Sequence, residues 1–281
     1  MTITIHKNIP LVGKHNKPIV TDFYYNKELS KQPILIFCHG YKGFKNWGPW
    51  HLMLKQIAIE GYFVVAFNFS HNGGTIEQPI DFPDLDAFGN DNFSKQQDDL
   101  QAVIDQVIDP DFKFSSNTDP SKIFLMGHSR GGGVVTLKAA SEPKITKIIT
   151  LAGIASYHES LPSAEKIAQW KQKGVLYIEN GRTKQQMPLY YQLFEDYQAN
   201  KPQLNIATAA KKLTVPHLII HGKQDSTVPF AKAALLHQWS KNSQLIALNT
   251  DHVFNAKHPW EDDQMPLALA QTTDHILNFL N

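Results

Sequence analysis

The chain has 281 residues, 42% of them hydrophobic and 19% charged, with 27 Lys and Arg against 26 Asp and Glu for a formal net charge of +1. That balance excludes a disordered chain, and the intermixed charge gives no field that would steer it to nucleic acid or to an anionic membrane, so a small neutral substrate is expected. Cys38 is the only cysteine, which excludes an internal disulfide, and its apolar surroundings predict a buried, inert thiol.

The opening stretch has no basic segment leading into an apolar run and no small-residue cleavage site, so no leader is expected. No apolar run approaches the roughly 20 residues of a membrane-spanning helix, and we expect a cytoplasmic protein. Ile3, Ile5, Ile19, Val20 and Phe23 lie in short alternating pieces around Asn16 and Pro18, which predicts an antiparallel hairpin at a sheet edge. Six β-branched or aromatic runs follow at 34–38, 62–67, 122–126, 147–151, 217–220 and 244–248. Their continuous hydrophobicity predicts strands buried on both faces of a parallel sheet. Residues 47–60 carry Trp50, Leu54, Ile57 and Ala58 at helical spacing and stop at Gly61, and 95–108 carry Leu100, Val103, Ile104, Val107 and Ile108 and stop before Pro110. Ser94 and Gln97 form a capping-box pattern at the start of the second helix. The acidic stretch 81–91 lacks the ordered ligands of a calcium loop and reads as a solvated loop.

Alternation of strand and helix makes this an α/β fold, and at this length 1–281 reads as one domain. More than 50 residues separate the strand ending near Leu151 from the next at His217, more than a simple crossover uses, so a cap insertion is expected at about 157–212. Its helix-like patches are 164–172 and 187–200. Its aromatics, Trp170, Tyr177, Tyr190, Tyr191, Phe194 and Tyr197, either pack the insertion or line a substrate pocket. Trp47, Trp50 and Phe88 leave the same two readings open.

The chemistry is carried by Gly127-His-Ser129-Arg-Gly131, placed directly after a buried strand and before the helical stretch 134–140. A serine forced into a tight strand-to-helix turn needs neighbours without side chains at both positions two residues away, here Gly127 and Gly131. The turn presents Oγ at the carboxyl edge of the sheet, beside a helix N-terminus whose free N–H groups suit an oxyanion. A serine hydroxyl needs a base, and 13 histidines compete for that role. His252 follows the strand at 244–248, and Asp225 lies in the polar loop after the strand at 217–220; the order Ser, Asp, His suits this architecture. Asp225 could instead cap a helix ahead of Pro229, and His252 could be an ordinary loop histidine. Asp251, adjacent to His252, would struggle to reach back to its Nδ1. The loop Phe37-Cys-His39-Gly40-Tyr41-Lys-Gly43 offers the Tyr41 N–H as an oxyanion donor beside that of Arg130, with His39 a core support. His128 is expected to pack beneath the turn. His217 and His221 lack partners at metal-ligand spacing, so no metal or other cofactor is expected. The Lys138 to Lys147 group reads as a solvated face.

These motifs together resemble the α/β-hydrolase superfamily over nearly the whole chain outside the insertion, and within it the dienelactone-hydrolase-like and acyl-esterase branch that includes cinnamoyl and feruloyl esterases. True dienelactone hydrolases carry a cysteine at the nucleophile position and haloalkane dehalogenases an aspartate, where this chain has Ser129. The resemblance implies an α/β-hydrolase fold and a serine hydrolase that cleaves a small-molecule carboxylic ester through an acyl-enzyme. A peptidase or thioesterase of the same fold and a non-catalytic ligand-binding member are the alternatives. The oligomeric state is left open, a homodimer among the options.

Overall fold

The computed structural model describes residues 3–281. Ten strands form among the described residues: β1 Thr4–Val12, β2 Pro18–Tyr25, β3 Gln32–Cys38, β4 Phe63–Phe67, β5 Thr118–His128, β6 Ile145–Leu151, β7 Val175–Glu179, β8 Gln186–Tyr190, β9 His217–Gly222 and β10 Ser243–Leu248. Eight make one sheet in the order β1-β2-β4-β3-β5-β6-β9-β10, and β7 pairs with β8 in a separate two-stranded sheet. β1 and β2 are antiparallel and β2 runs antiparallel to β4, whereas β4, β3, β5, β6, β9 and β10 are parallel throughout. All six predicted runs are strands of that parallel block, and the predicted hairpin is its antiparallel edge.

The inner parallel strands read as apolar runs because both their faces are covered, whereas β10, at the sheet edge, is only half-buried. Successive residues point to opposite sides. Ile34, Ile36, Val65, Ile123 and Leu125 meet one core with Leu100, Val103, Val107, Val134 and Val135. Leu35, Phe37, Val64, Phe124, Met126 and Ile149 meet the other with Met53, Leu54, Ile57, Leu269 and Ile276. The helices behind these contacts are α3 (Phe93–Ile108) and α4 (Arg130–Ala139) on the first face and α1 (Trp50–Ile59) and α9 (Leu267–Leu280) on the second. α8 (Ala231–Trp239) lies over β9 through Ala233, Leu236 and Ile219.

Four expectations need correction, the last of them in the segment between β6 and β9. α3 begins two residues earlier than its capping-box pattern suggests: Asn92 is the N-cap, its side chain accepting the Lys95 N–H at 2.8 Å, while Gln97 reaches away to the Val134 carbonyl. The stretch 81–91 is not a solvated loop, because Phe82, Phe88 and Asp91 are buried and α2 (Leu85–Gly89) forms within it, capped by Asp84. Lys138 and Lys147 are not simply solvated either. Lys138 is buried against Gln101, and the Lys147 ammonium caps α9 by donating to the Phe279 and Leu280 carbonyls.

Between β6 and β9 the chain forms α5 (Ala164–Lys173), the β7–β8 hairpin, α6 (Gln192–Ala199) and α7 (Ile206–Lys212). The patch at 187–200 is therefore strand at its start, where Met187 to Tyr190 pair with β7, and helical only over Gln192–Ala199. The aromatics here mostly pack the segment itself. Trp170 is buried, donates its indole N–H to the Leu189 carbonyl, and meets Tyr191 and Phe194, while Tyr197 packs on Phe93. Tyr177 is exposed. Trp50 is core, packed on Phe37 and His128. The hairpin also buries Met187 among Phe44, Phe82 and Phe88, with Arg182 paired to Asp81 and the Tyr190 hydroxyl donating to Asp86 at 2.9 Å.

Candidate active site

Because β3, β5, β9 and β10 are parallel, the loops that follow them emerge at one edge of the sheet, where α/β proteins place their ligands. The predicted site residues lie on those four loops or on the strand end and helix start that flank the turn at Ser129.

Ser129 sits between β5 and α4 with φ 55° and ψ −117°, a conformation that costs a non-glycine residue about 1–3 kcal/mol and persists only where its surroundings enforce it. Here they do. The Ser129 N–H donates to the Leu151 carbonyl at 2.9 Å, and its own carbonyl accepts from Gly132 N–H at 3.0 Å and Ile154 N–H at 3.2 Å. The turn is so tight that a Cβ on Gly127 would stand 2.2 Å from the Gly131 carbonyl oxygen, and one on Gly131 would stand 2.3 Å from that of Cys38. The flanking glycines are thus required by backbone contact on both sides.

Asp225 is buried with both oxygens occupied. Oδ1 accepts Thr227 N–H at 2.9 Å and Val228 N–H at 2.8 Å, and Oδ2 accepts His252 Nδ1–H at 2.7 Å. Oδ2 also lies 3.1 Å from His221 Nε2, which must carry its proton because the Val228 carbonyl accepts from it at 2.8 Å. Burial pushes the Asp225 carboxyl up, but these hydrogen bonds from His221, His252 and Val228 outweigh burial and hold it well below the usual carboxylate range. A carboxylate fixed in that state keeps the His252 proton on Nδ1 and leaves Nε2 as a bare lone pair. The Asp251 side chain instead accepts the N–H groups of Val253 and Asn255, which shapes the loop that carries His252.

The His252 loop is tied to the serine turn by its neighbour. His128 Nε2–H donates to the His252 carbonyl at 3.0 Å, and the two rings lie 4.9 Å apart. Burial lowers His128 to about 3, so it is a neutral strut packed under the turn, as its position in the sequence suggests.

The loop after β3 approaches Ser129 from the other side. A Cβ on Gly40 would lie 2.9 Å from the Ser129 Cβ, so only glycine lets this backbone come so close. Gly43 N–H bonds to the Gly40 carbonyl at 3.1 Å, closing a turn in which Tyr41 takes the second position, whose N–H the turn itself does not use. His39 Nδ1–H donates to the same carbonyl at 2.8 Å, while its Nε2 accepts Phe69 N–H at 3.3 Å. The Gly40 carbonyl and the Tyr41 N–H belong to one planar trans peptide and point in opposite directions. Two donors on that carbonyl therefore fix the direction of the Tyr41 N–H. Arg130 opens α4, so its N–H is one of the free donors of a helix N-terminus. Further along the loop, Lys45 is buried with Asp22, Nζ to Oδ1 at 2.7 Å, and donates to Asn8 at 2.8 Å.

In the sequence His221 stands out only as a histidine without metal-ligand partners; its contact with Asp225 comes from the fold. The available signal is a histidine directly after the apolar run Leu218 to Ile220, four residues before a loop carboxylate. Among the described residues no group of three or more His, Cys, Asp or Glu side chains could hold a metal ion, and no helix is long and apolar enough to cross a membrane. A groove of about 420 Å³ opens between α3, α4 and α7, lined by Gln97, Asp98, Lys138 and Asn205 among others. Ser129, Asp225 and His252 do not line it, so it is separate from this site.

Residues 33–265 match the family profile described as alpha/beta hydrolase fold. No curated protein sequence matches the chain. Among solved structures, the ferulic-acid complex of Est1E from Butyrivibrio proteoclasticus is 19% identical with a TM-score of 0.69, covering 97% of each chain. The monoacylglycerol lipase of Paleococcus ferrophilus is 16% identical with a TM-score of 0.64, covering 93% of this chain and 98% of that one. The acylaminoacyl peptidase of Pyrococcus horikoshii is 15% identical with a TM-score of 0.66, covering 99% of this chain and 41% of that one. At these identities the likeness is one of fold.

Proposed function

Since the chain belongs to the alpha/beta hydrolase fold family, we propose that it is a serine hydrolase that cleaves a carboxylic ester of a small molecule through an acyl-enzyme. The observation that carries this reading is the state of His252: a buried carboxylate, fully supplied with donors, holds its Nδ1 proton at 2.7 Å on a loop bonded to the strained turn of Ser129.

In the proposed reaction His252 Nε2 takes the Ser129 hydroxyl proton as Oγ attacks the ester carbonyl. Asp225 stabilises the imidazolium that forms and keeps its orientation. The developing oxyanion is held by the Tyr41 and Arg130 N–H groups, an arrangement that contributes about 3–4 kcal/mol per donor in comparable sites. His252 then returns the proton to the leaving alcohol, and water repeats the sequence on the acyl-enzyme. Residues 157–212 act as a cap over this edge. The esterase and lipase among the structural neighbours favour an ester over an amide. The peptidase neighbour matches over less than half its own length.

The test is fluorophosphonate labelling of wild type beside Ser129→Ala, with hydrolysis of a p-nitrophenyl ester chain-length series. Wild type should label and turn over, and Ser129→Ala should lose both while keeping its thermal melt. A folded Ser129→Ala protein with full turnover would sink the assignment.

A further inference from the structure

We infer that the Arg130 side chain is a positioning residue for the oxyanion site: it clamps the serine turn to the loop opposite by stacking on the ring of Tyr41. The inference rests on the hydrolytic reading above, in which these same two residues supply the oxyanion N–H groups.

The guanidinium carbon of Arg130 lies 3.9 Å from the centroid of the Tyr41 ring and 5.3 Å from that of Phe93, within the range in which a cation is attracted to an aromatic face. Phe88 packs on Tyr41 at 5.7 Å between centroids. Arg130 is only 9% exposed, so the stack is dry and little screened. Its nearest carboxylate is buried Asp91, but Nη1 to Oδ2 is 3.9 Å, too long for a hydrogen bond. Asp91 Oδ2 instead accepts from Gln96 Nε2 at 2.6 Å. Arg130 Nη1, Asp91 Oδ1, Tyr41 OH and Tyr157 OH are buried without a hydrogen-bond partner among the described residues. The guanidinium is thus held by an aromatic face more than by its counter-ion, and burial pushes the Asp91 carboxyl up to about 7 against the pull of Arg130.

A core built for stability alone gains little from such an arrangement, since an apolar replacement of a buried ion pair is often neutral or stabilising. The location accounts for it better. Arg130 directly follows Ser129, and Tyr41 directly follows the Gly40 that touches Ser129. The stack therefore sets the separation of two N–H groups that must converge on one oxygen, and a misplacement of about 1 Å at such a site costs on the order of 100-fold in rate. A substrate subsite is the competing use of these unpaired polar atoms. The cleft lined by Gly40, Tyr41, Asp91 and Gln96 holds only about 10 Å³, about one water molecule and too little for a substrate group.

The experiment is a double-mutant cycle with Arg130→Met and Tyr41→Leu, both of which keep the backbone N–H, read as kcat and KM on a p-nitrophenyl ester with thermal melts alongside. Each single variant should lose at least tenfold in kcat with KM changed less than threefold, and the double variant should be no more than about twofold worse than the worse single. Tyr41→Phe, which keeps the ring, should be at least fivefold faster than Tyr41→Leu. If Arg130→Met does not fold, Arg130→Lys takes its place in the cycle, with partial loss expected. Folded variants whose kcat stays within twofold of wild type, or whose losses multiply, would overturn the clamp while wild-type labelling leaves the hydrolytic reading standing. A wild type that neither labels nor turns over would instead defeat the hydrolytic reading itself.

Discussion

Changing Asp225 to Asn replaces one carboxylate oxygen by an amide nitrogen, and the hydrogen bonds around it dictate which. Oδ1 accepts two backbone N–H groups, from Thr227 and Val228, at 2.9 and 2.8 Å, so the amide oxygen must stay there. The NH2 group then takes the place of Oδ2, 2.7 Å from His252 Nδ1 and 3.1 Å from His221 Nε2. Both of those nitrogens carry protons in the wild type, so donor faces donor. His221 cannot yield, because the Val228 carbonyl 2.8 Å away holds its Nε2 proton. His252 can, by moving its proton to Nε2, and in that tautomer it no longer accepts the proton of Ser129. We expect kcat to fall on the order of 10⁴-fold, a barrier increase of about 5.4 kcal/mol at about 1.36 kcal/mol per factor of ten. The unrelieved clash with His221 should also cost about 1–3 kcal/mol of stability. Steady-state kinetics on p-nitrophenyl acetate and butyrate, with a circular-dichroism melt on the same preparation, measure both. A folded Asp225→Asn protein retaining a tenth of the wild-type kcat would refute the assignment of Asp225 as the group that sets the tautomer.

Gly40→Ala would place a methyl carbon 2.9 Å from the Ser129 Cβ and 3.3 Å from the His128 carbonyl oxygen; the loop must retreat, and under the proposed mechanism kcat should drop about 10- to 100-fold as the Tyr41 N–H leaves its proposed place at the oxyanion. Unchanged kinetics in a folded Gly40→Ala protein would show that this N–H plays no part. Asp91 gives a pH prediction. Its folded value, raised by burial to about 7, exceeds its unfolded value near 4, so its contribution to stability is complete below about pH 4 and is lost as pH rises through 7. Between pH 5 and 8 wild type should lose about 2–3 kcal/mol in urea melts from this group, and Asp91→Asn should remove that part of the slope. In both proteins buried Asp99, raised to about 6, adds slope of the same sign, and buried His128 and His217, lowered to about 3, add slope of the opposite sign, so the quantity read is the difference between wild type and Asp91→Asn. An Asp91→Asn protein with the full wild-type slope would contradict the burial of an ionising group there.

The six parallel strands were legible because a strand covered on both faces must be apolar at every position, and a run such as Ile34 to Cys38 has few other uses. Ser129 was legible because the requirement for glycine at 127 and 131 is local. Asp225 and His252 could be paired by the order of the loops, but their 2.7 Å contact depends on strand register, which no local pattern records. The β7–β8 hairpin was misread at Met187 to Tyr190 because its strand character comes from burying Met187 among Phe44, Phe82 and Phe88, about a hundred residues or more upstream. The same distance hides α2: the stretch 81–91 reads as an acidic, solvated loop because part of the surface that covers Phe82 and Phe88 is Met187 of the hairpin. Asn92 displaced Ser94 as the cap of α3 since the Ser94 N–H is engaged by the Asp196 carboxylate at 3.1 Å, again across a hundred residues.

That long-range pairing restricts how this protein can be altered. Arg182 with Asp81, Tyr190 with Asp86, Gln192 with Asn92 and Met187 with Phe82 and Phe88 fasten the 157–212 segment to residues 81–92, and Gly89 has no side chain where the Tyr190 ring passes. A recombinant enzyme that takes 157–212 from a homologue would bring a new underside against an old seat, stranding two carboxylates and an apolar socket. The two stretches form one exchangeable module although β5 and β6 of the central sheet lie between them in the chain, and a library aimed at new substrates should shuffle them together.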